Sequence, residues 1–183
     1  MSSGNVGASM TRMSDTKATP PMIVSSRELS EEPPDAGHYG AASASLTPSM
    51  RRRGGALGVN RVRLKKGTSG CPFHHHLRED EVFYVLEGRG VLRYGEELHD
   101  IGAGDCISCP AGTKQAHQIC NPYDEDLVYL AIGAFDPHEV CVYPDSGKVM
   151  IRALRMRGRL TPLEYFDDEP DPPKIFDLAA RRG

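Results

Sequence analysis

No stretch of the 183 residues approaches the roughly 20 consecutive apolar residues that span a bilayer, which excludes a transmembrane helix. The first residues also lack the basic-then-apolar order of a secretory signal, so the expected compartment is the cytosol, with no membrane partner. Charge of one sign is missing too: 22 Lys and Arg face 25 Asp and Glu, for a formal net charge of -3. Such a balance gives no general attraction to nucleic acid or anionic lipid, and no nucleic-acid partner is expected. Five cysteines, Cys71, Cys106, Cys109, Cys120 and Cys141, are few and odd in number, which argues against a disulfide framework and for reduced thiols. There is no glycine-rich loop set between a strand and a helix, and no Ser/His/Asp spacing of a nucleophile motif. Nucleotide binding and covalent catalysis are therefore unsupported.

The N-terminal part, residues 1–36, is rich in Ser, Thr, Pro, Met and Gly and offers only Met22, Ile23 and Val24 as an apolar patch. It buries too little to offset its conformational entropy and is expected to be disordered or arm-like. Residues 37–55 read as a lead-in loop, with "MRRRGG" from Met50 to Gly55 as a solvated basic turn. From Ala56 the texture changes to short runs of β-branched, aromatic and leucine residues, broken by Gly, Pro, Asn or Asp. The expected strands are Leu57–Leu64, Glu81–Glu87, Gly90–Tyr94, Asp105–Cys109, Gln115–Cys120, Leu127–Ile132 and Glu139–Tyr143, with Val149–Met156 as another. Seven or eight short strands without a sustained helical period give an all-β class, a sandwich or an antiparallel barrel, over 56–156. The remainder, 157–183, is acidic and proline-rich, a tail whose Leu163, Tyr165, Phe166, Ile175 and Phe176 can pack on the barrel or on a partner.

Within this frame, "PFHHHLREDEVFYVLEG" from Pro72 to Gly88 is unusual. Side chains two apart on a strand share a face, so His74 and His76 point together and His75 points away. Glu81 opens the next alternation with Phe83 and Val85 on its side, and a turn through Leu77 to Asp80 can return its carboxylate to the same interior. A further donor, His117, lies in "GDCISCPAGTKQAHQICN", with Ile119 and Asn121 on its side. Parity thus makes Phe83, Val85, Ile119 and Asn121 candidate pocket-lining residues. Three imidazoles and one carboxylate suit one divalent transition metal, Zn, Mn, Fe, Ni, Co or Cu, better than Ca or Mg, which prefer oxygen shells. The donor set does not choose among the six.

These residues resemble the two motifs of the cupin superfamily. The first, G-x5-H-x-H-x3,4-E-x6-G, is matched by His74, His76, Glu81 and Gly88, although six residues rather than five follow Gly67. The second, G-x5-P-x-G-x2-H-x3-N, is matched by Gly104, Pro110, Gly112, His117 and Asn121, with two extra residues before His117. The wording around "REDEVFYVLEG" and "VYPDSGKV" is similar to a bacterial branch of small single-domain cupins described as sugar-phosphate isomerases. The resemblance implies a double-stranded β-helix barrel, a metal held by His74, His76, Glu81 and His117, and a homodimer. It also implies a metal-dependent enzyme on a small polar substrate, a sugar phosphate or carboxylic acid, of isomerase, lyase or dioxygenase type. The alternative is a non-catalytic barrel that binds a small ligand or uses its metal structurally. The C-x2-C of Cys106 and Cys109 has no second pair, and its members face opposite sides of a strand, so packing explains them better than zinc or redox chemistry.

Overall fold

The computed structural model describes residues 22–26, 37–51 and 55–182. Most of the arm expected over 1–36, and Arg52 and Arg53 of the basic turn, lie outside the described residues. In chain order the strands are β1 Ala42–Ser45, β2 Leu57–Leu64, β3 Thr68–Ser69, β4 His75–His76, β5 Glu81–Glu87, β6 Arg89–Tyr94 and β7 Glu97–Gly102. They continue with β8 Cys106–Cys109, β9 His117–Asn121, β10 Leu127–Ala134, β11 Val140–Tyr143, β12 Lys148–Ile151 and β13 Met156–Gly158. Two short helices, α1 Pro48–Arg51 and α2 Ile175–Ala180, flank them. All pairings between these strands are antiparallel and form three sheets, β1-β2-β10-β5-β8, β13-β12-β11-β4 and β3-β9-β6-β7. The expected all-β class is what the chain adopts.

Alternation builds the interior. Val62 and Leu64 of β2, Phe83 and Val85 of β5, Leu92 of β6 and Ile119 of β9 all turn inward with Ile101, Cys109, Leu127 and Tyr129. Each such side chain contributes roughly 1.5–3 kcal/mol through burial. The β5–β6 turn shows why a glycine is required: Gly88 has φ +77°, and a Cβ there would stand 2.1 Å from the Asp126 carbonyl oxygen.

Three expectations about organisation change. Residues 42–45 of the expected lead-in loop form β1, because the free edge of β2 offers a ladder of N–H and C=O groups that Ala and Ser accept despite their low strand preference. β7 carries one buried residue, Ile101, so it shows no alternation to read; the two-residue turn at Gly95 and Glu96, with Gly95 at positive φ, folds it back on β6. The single strand expected over Val149–Met156 is a hairpin, β12 and β13, turned at Arg155 with φ 53°. Leu163, Tyr165, Phe166, Ile175 and Phe176 of the tail are exposed on the single chain.

Candidate metal centre

The histidine segment changes partners between its first and third rings. His74 exchanges both backbone hydrogen bonds with His117, at 3.1 and 2.8 Å, whereas His76 pairs with Cys141 of β11. The segment therefore ties the β9 sheet to the β11 sheet, which brings imidazoles from three strands' worth of backbone to one place. The two extra residues before His117 leave it in position, since the Gly112 N–H donates to the His76 carbonyl at 2.9 Å and the loop closes on the His74–His117 pair. Glu81 then enters at the start of β5, between β8 and β10.

One carboxylate oxygen is the point of convergence. Glu81 Oε2 lies 2.9 Å from His117 Nε2, 3.2 Å from His76 Nε2 and 3.6 Å from His74 Nε2. All three rings are nearly covered, and the buried His76 Nε2 makes no aligned hydrogen bond, although Glu81 Oε2 is 3.2 Å away. His74 Nδ1 lies 2.8 Å from the Pro72 carbonyl, which can only accept, so Nδ1 carries a proton and Nε2 is the atom a cation would take. Burial opposes the charge on Glu81, but the three rings outweigh it and hold its carboxyl far below the usual range. The same contest ends with His74 and His76 raised and His117 lowered from the ordinary imidazole value, burial opposing protonation in each.

This arrangement is what a cation needs: three Nε2 atoms and an ionised oxygen gathered at one point in a covered site. His74, Glu81 and His117 offer ligand atoms all within 4.8 Å of one another, and so do His74, His76 and Cys141, and His76, Glu79 and Glu139. The first two groups share His74, and with Glu81 Oε2 facing all three Nε2 atoms the residues there fit a metal ion. His75 belongs to none of the groups.

Depth along the barrel decides what the other inward residues do. Phe83 lies against the centre, its ring 5.5 Å from that of His117. Val85 and Ile119 are farther along the same face and fill the core. Asn121, expected on the pocket wall, is a correction: it sits at the far end of β9 from His117. There its amide donates to the Leu64 and Glu125 carbonyls, at 3.0 and 2.8 Å, and accepts the Tyr123 N–H at 2.9 Å. Parity gives the face but not the depth, and an asparagine with both ends of its amide used is a turn lock.

Sequence reasoning missed Tyr143, whose ring stacks on His74 at 6.0 Å, and the buried Glu139 and Cys141. Their signal was available in "EVCVYP", where alternate residues Glu139, Cys141 and Tyr143 are the polar ones. Burial, and then Cys141, pushes the Tyr143 phenol above its ordinary value, so it keeps its proton. Cys71 stands 3.7 Å from His74 Nδ1. Cys106 is exposed and Cys109 buried, on opposite faces of β8.

The cupin domain family matches residues 60–133. A crystal structure from Silicibacter pomeroyi, described as a sugar phosphate isomerase from a cupin superfamily, is 30% identical, covers 67% of this chain and 81% of its own, and superposes with a TM-score of 0.58. A candidate sugar phosphate isomerase from Acidithiobacillus ferrooxidans shares the fold, with a TM-score of 0.66 at 24% identity over 78% of this chain and 96% of its own. The oxalate-binding protein of Thermotoga maritima is 35% identical over 72 residues, 39% of this chain and 57% of its own. Curated relatives are matched over only 33%, 37% and 57% of their lengths. By its barrel, its matched domain and the relative covered over four fifths of its length, the chain belongs to the cupin superfamily.

Proposed function

We propose that the protein is a metal-dependent cupin enzyme acting on a small polar substrate, a sugar phosphate or a carboxylic acid. The observation that carries this reading is the convergence of three buried imidazole Nε2 atoms on Glu81 Oε2 at 2.9–3.6 Å. His74, His76, Glu81 and His117 would hold one divalent transition metal. When bound, such an ion supplies a Lewis-acidic position for a substrate oxygen, or a redox centre if it is iron or copper. Glu81 supplies the compensating negative charge, already ionised. Phe83 and Tyr143 narrow the surroundings of the rings, and Tyr143 contributes a neutral hydroxyl that can donate a hydrogen bond to a substrate oxygen beside His74.

The Thermotoga relative supports a second reading, a non-catalytic carrier of a small dicarboxylic acid. Both readings use the same donors and differ in whether the acid is changed. The exposed apolar residues of the tail, such as Tyr165 and Phe166, favour a homodimer.

The test is metal content by mass spectrometry on protein purified without added metal or chelator, with His74→Ala/His117→Ala alongside and light scattering on both. About one equivalent of metal in the parent and none in the variant is the expected result. Titration of the loaded protein with oxalate and with a hexose phosphate, followed by product analysis, separates enzyme from carrier. A parent that stays metal-free after reconstitution refutes the metal-centre reading, and a monomeric mass refutes the dimer.

A further inference from the structure

Two buried carboxylates lie behind His76, on the side of the ring away from Glu81. His76 Nδ1 is 3.3 Å from Glu139 Oε1 and 3.7 Å from Glu79 Oε2. Glu79 is engaged elsewhere: both its oxygens meet the Arg152 guanidinium, and it accepts the Asp136 N–H at 2.6 Å. Glu139 has no exposed surface, and its carboxylate accepts the Leu77 N–H on Oε1 and the Arg78 N–H on Oε2, each at 2.9 Å. Its three donors are thus three consecutive residues, His76, Leu77 and Arg78, the stretch that leaves the centre towards Glu81.

We propose that Glu139 is a positioning residue of the metal centre, holding the His76 ring with Nδ1–H on its own carboxylate and Nε2 on the side of Glu81, where the metal would lie. The inference rests on the metal-centre reading above and adds to it the group that fixes its second histidine. A carboxylate oxygen that takes two N–H donors accepts from the ring nitrogen facing it, and with a cation bound between His76 and Glu81 that leaves Nε2 to the ion. The Pro72 carbonyl does the same for His74. A carboxylate does more than a carbonyl, because its charge strengthens the ring as a donor. Its grip on the Leu77 and Arg78 amides also stops the backbone from rotating the ring out of place. A purely structural role, a carboxylate closing two backbone amides at the start of β11, would stabilise the fold without touching the ring's tautomer.

Glu139→Gln distinguishes the two roles, since the amide keeps the shape but places an N–H against at least one of the three donors. The first readout is affinity for Zn(II), by competition with a chromophoric chelator. The second is the pair of His76 ring 15N shifts in the Zn(II)-saturated protein, assigned by their absence from His76→Gln. Expected are a loss of roughly 10–100-fold in Zn(II) affinity and the appearance of an Nε2–H tautomer at His76. Asp105→Asn, which weakens another carboxylate-to-amide bond, Gly102 N–H to Asp105 at 2.7 Å, is expected to leave both readouts at parental values. Zn(II) affinity of Glu139→Gln within twofold of the parent, with His76 still Nδ1–H, overturns the proposal. Should the variant not fold, the parent's own spectrum decides, because an Nε2–H His76 there contradicts it. A parent that binds no Zn(II) refutes the metal-centre reading itself, an outcome distinct from equal binding by parent and variant.

Discussion

Asn121 lies on the same face of β9 as His117, yet the structure makes it a lock on the turn that leads into β10, and substitution separates the two roles. Its side chain is fully buried and makes three hydrogen bonds, to the Leu64 and Glu125 carbonyls and from the Tyr123 N–H. A net value of about 0.5–1.5 kcal/mol per bond gives roughly 1.5–4.5 kcal/mol for Asn121→Ala. Asn121→Asp keeps the shape and the acceptor for Tyr123 but sets a carboxylate oxygen against the Leu64 and Glu125 carbonyls. Its folded-state pKa is therefore raised above the unfolded value. The loss is then largest at neutral pH and shrinks as pH falls through that raised value, where a protonated carboxyl can again donate one bond. The assay is urea unfolding of parent, Asn121→Ala and Asn121→Asp at pH 7.5 and 5, with metal stoichiometry measured on each folded protein. A loss below about 1 kcal/mol for Asn121→Ala, or folded variants with reduced metal content, would refute the turn-lock assignment.

Two further substitutions and a labelling experiment test the same frame. Gly88→Ala must pay for both positive φ and a Cβ 2.1 Å from the Asp126 carbonyl, while Gly104, with φ +97°, has nothing within 4 Å. Chemical unfolding should therefore show a loss of at least about 2 kcal/mol for Gly88→Ala and about 1 kcal/mol for Gly104→Ala, and equal losses would contradict the close approach. Burial, with the Glu81 charge adding to it, pushes the Cys109 thiol up to about 12, whereas Cys106 is exposed on the other face of β8. Iodoacetamide at pH 8 followed by peptide mass mapping should label Cys106 and spare Cys109 in the native protein; equal labelling would place Cys109 outside the core.

Legibility followed the physics of each segment. β2 and β5 could be bounded from the sequence because each is a short run rich in branched, aromatic and leucine residues, Leu57–Leu64 and Glu81–Glu87, closed by turn residues that include Gly67 and Gly88. β10 was found but not its pattern: Leu127, Val128 and Tyr129 are buried in succession, because the register against β5 shifts between Val128 and Tyr129 and strict alternation fails there. β1 and β7 left no trace, since an edge strand of Ala and Ser and a hairpin arm with one buried residue are shaped by their neighbours' free backbone groups. At the centre, spacing could say that His74, His76, Glu81 and His117 share an interior, because each rule involved is local. It could not reach Glu139, 63 residues from His76, whose contact with that ring depends on β4 pairing with β11. Nor could it tell Phe83 at the rings from Val85 in the core, one alternation farther along the same strand. Local alternation fixes which way a side chain points, and only the sheet register fixes what it meets; the donors were legible by the first, and the groups that hold them in place needed the second.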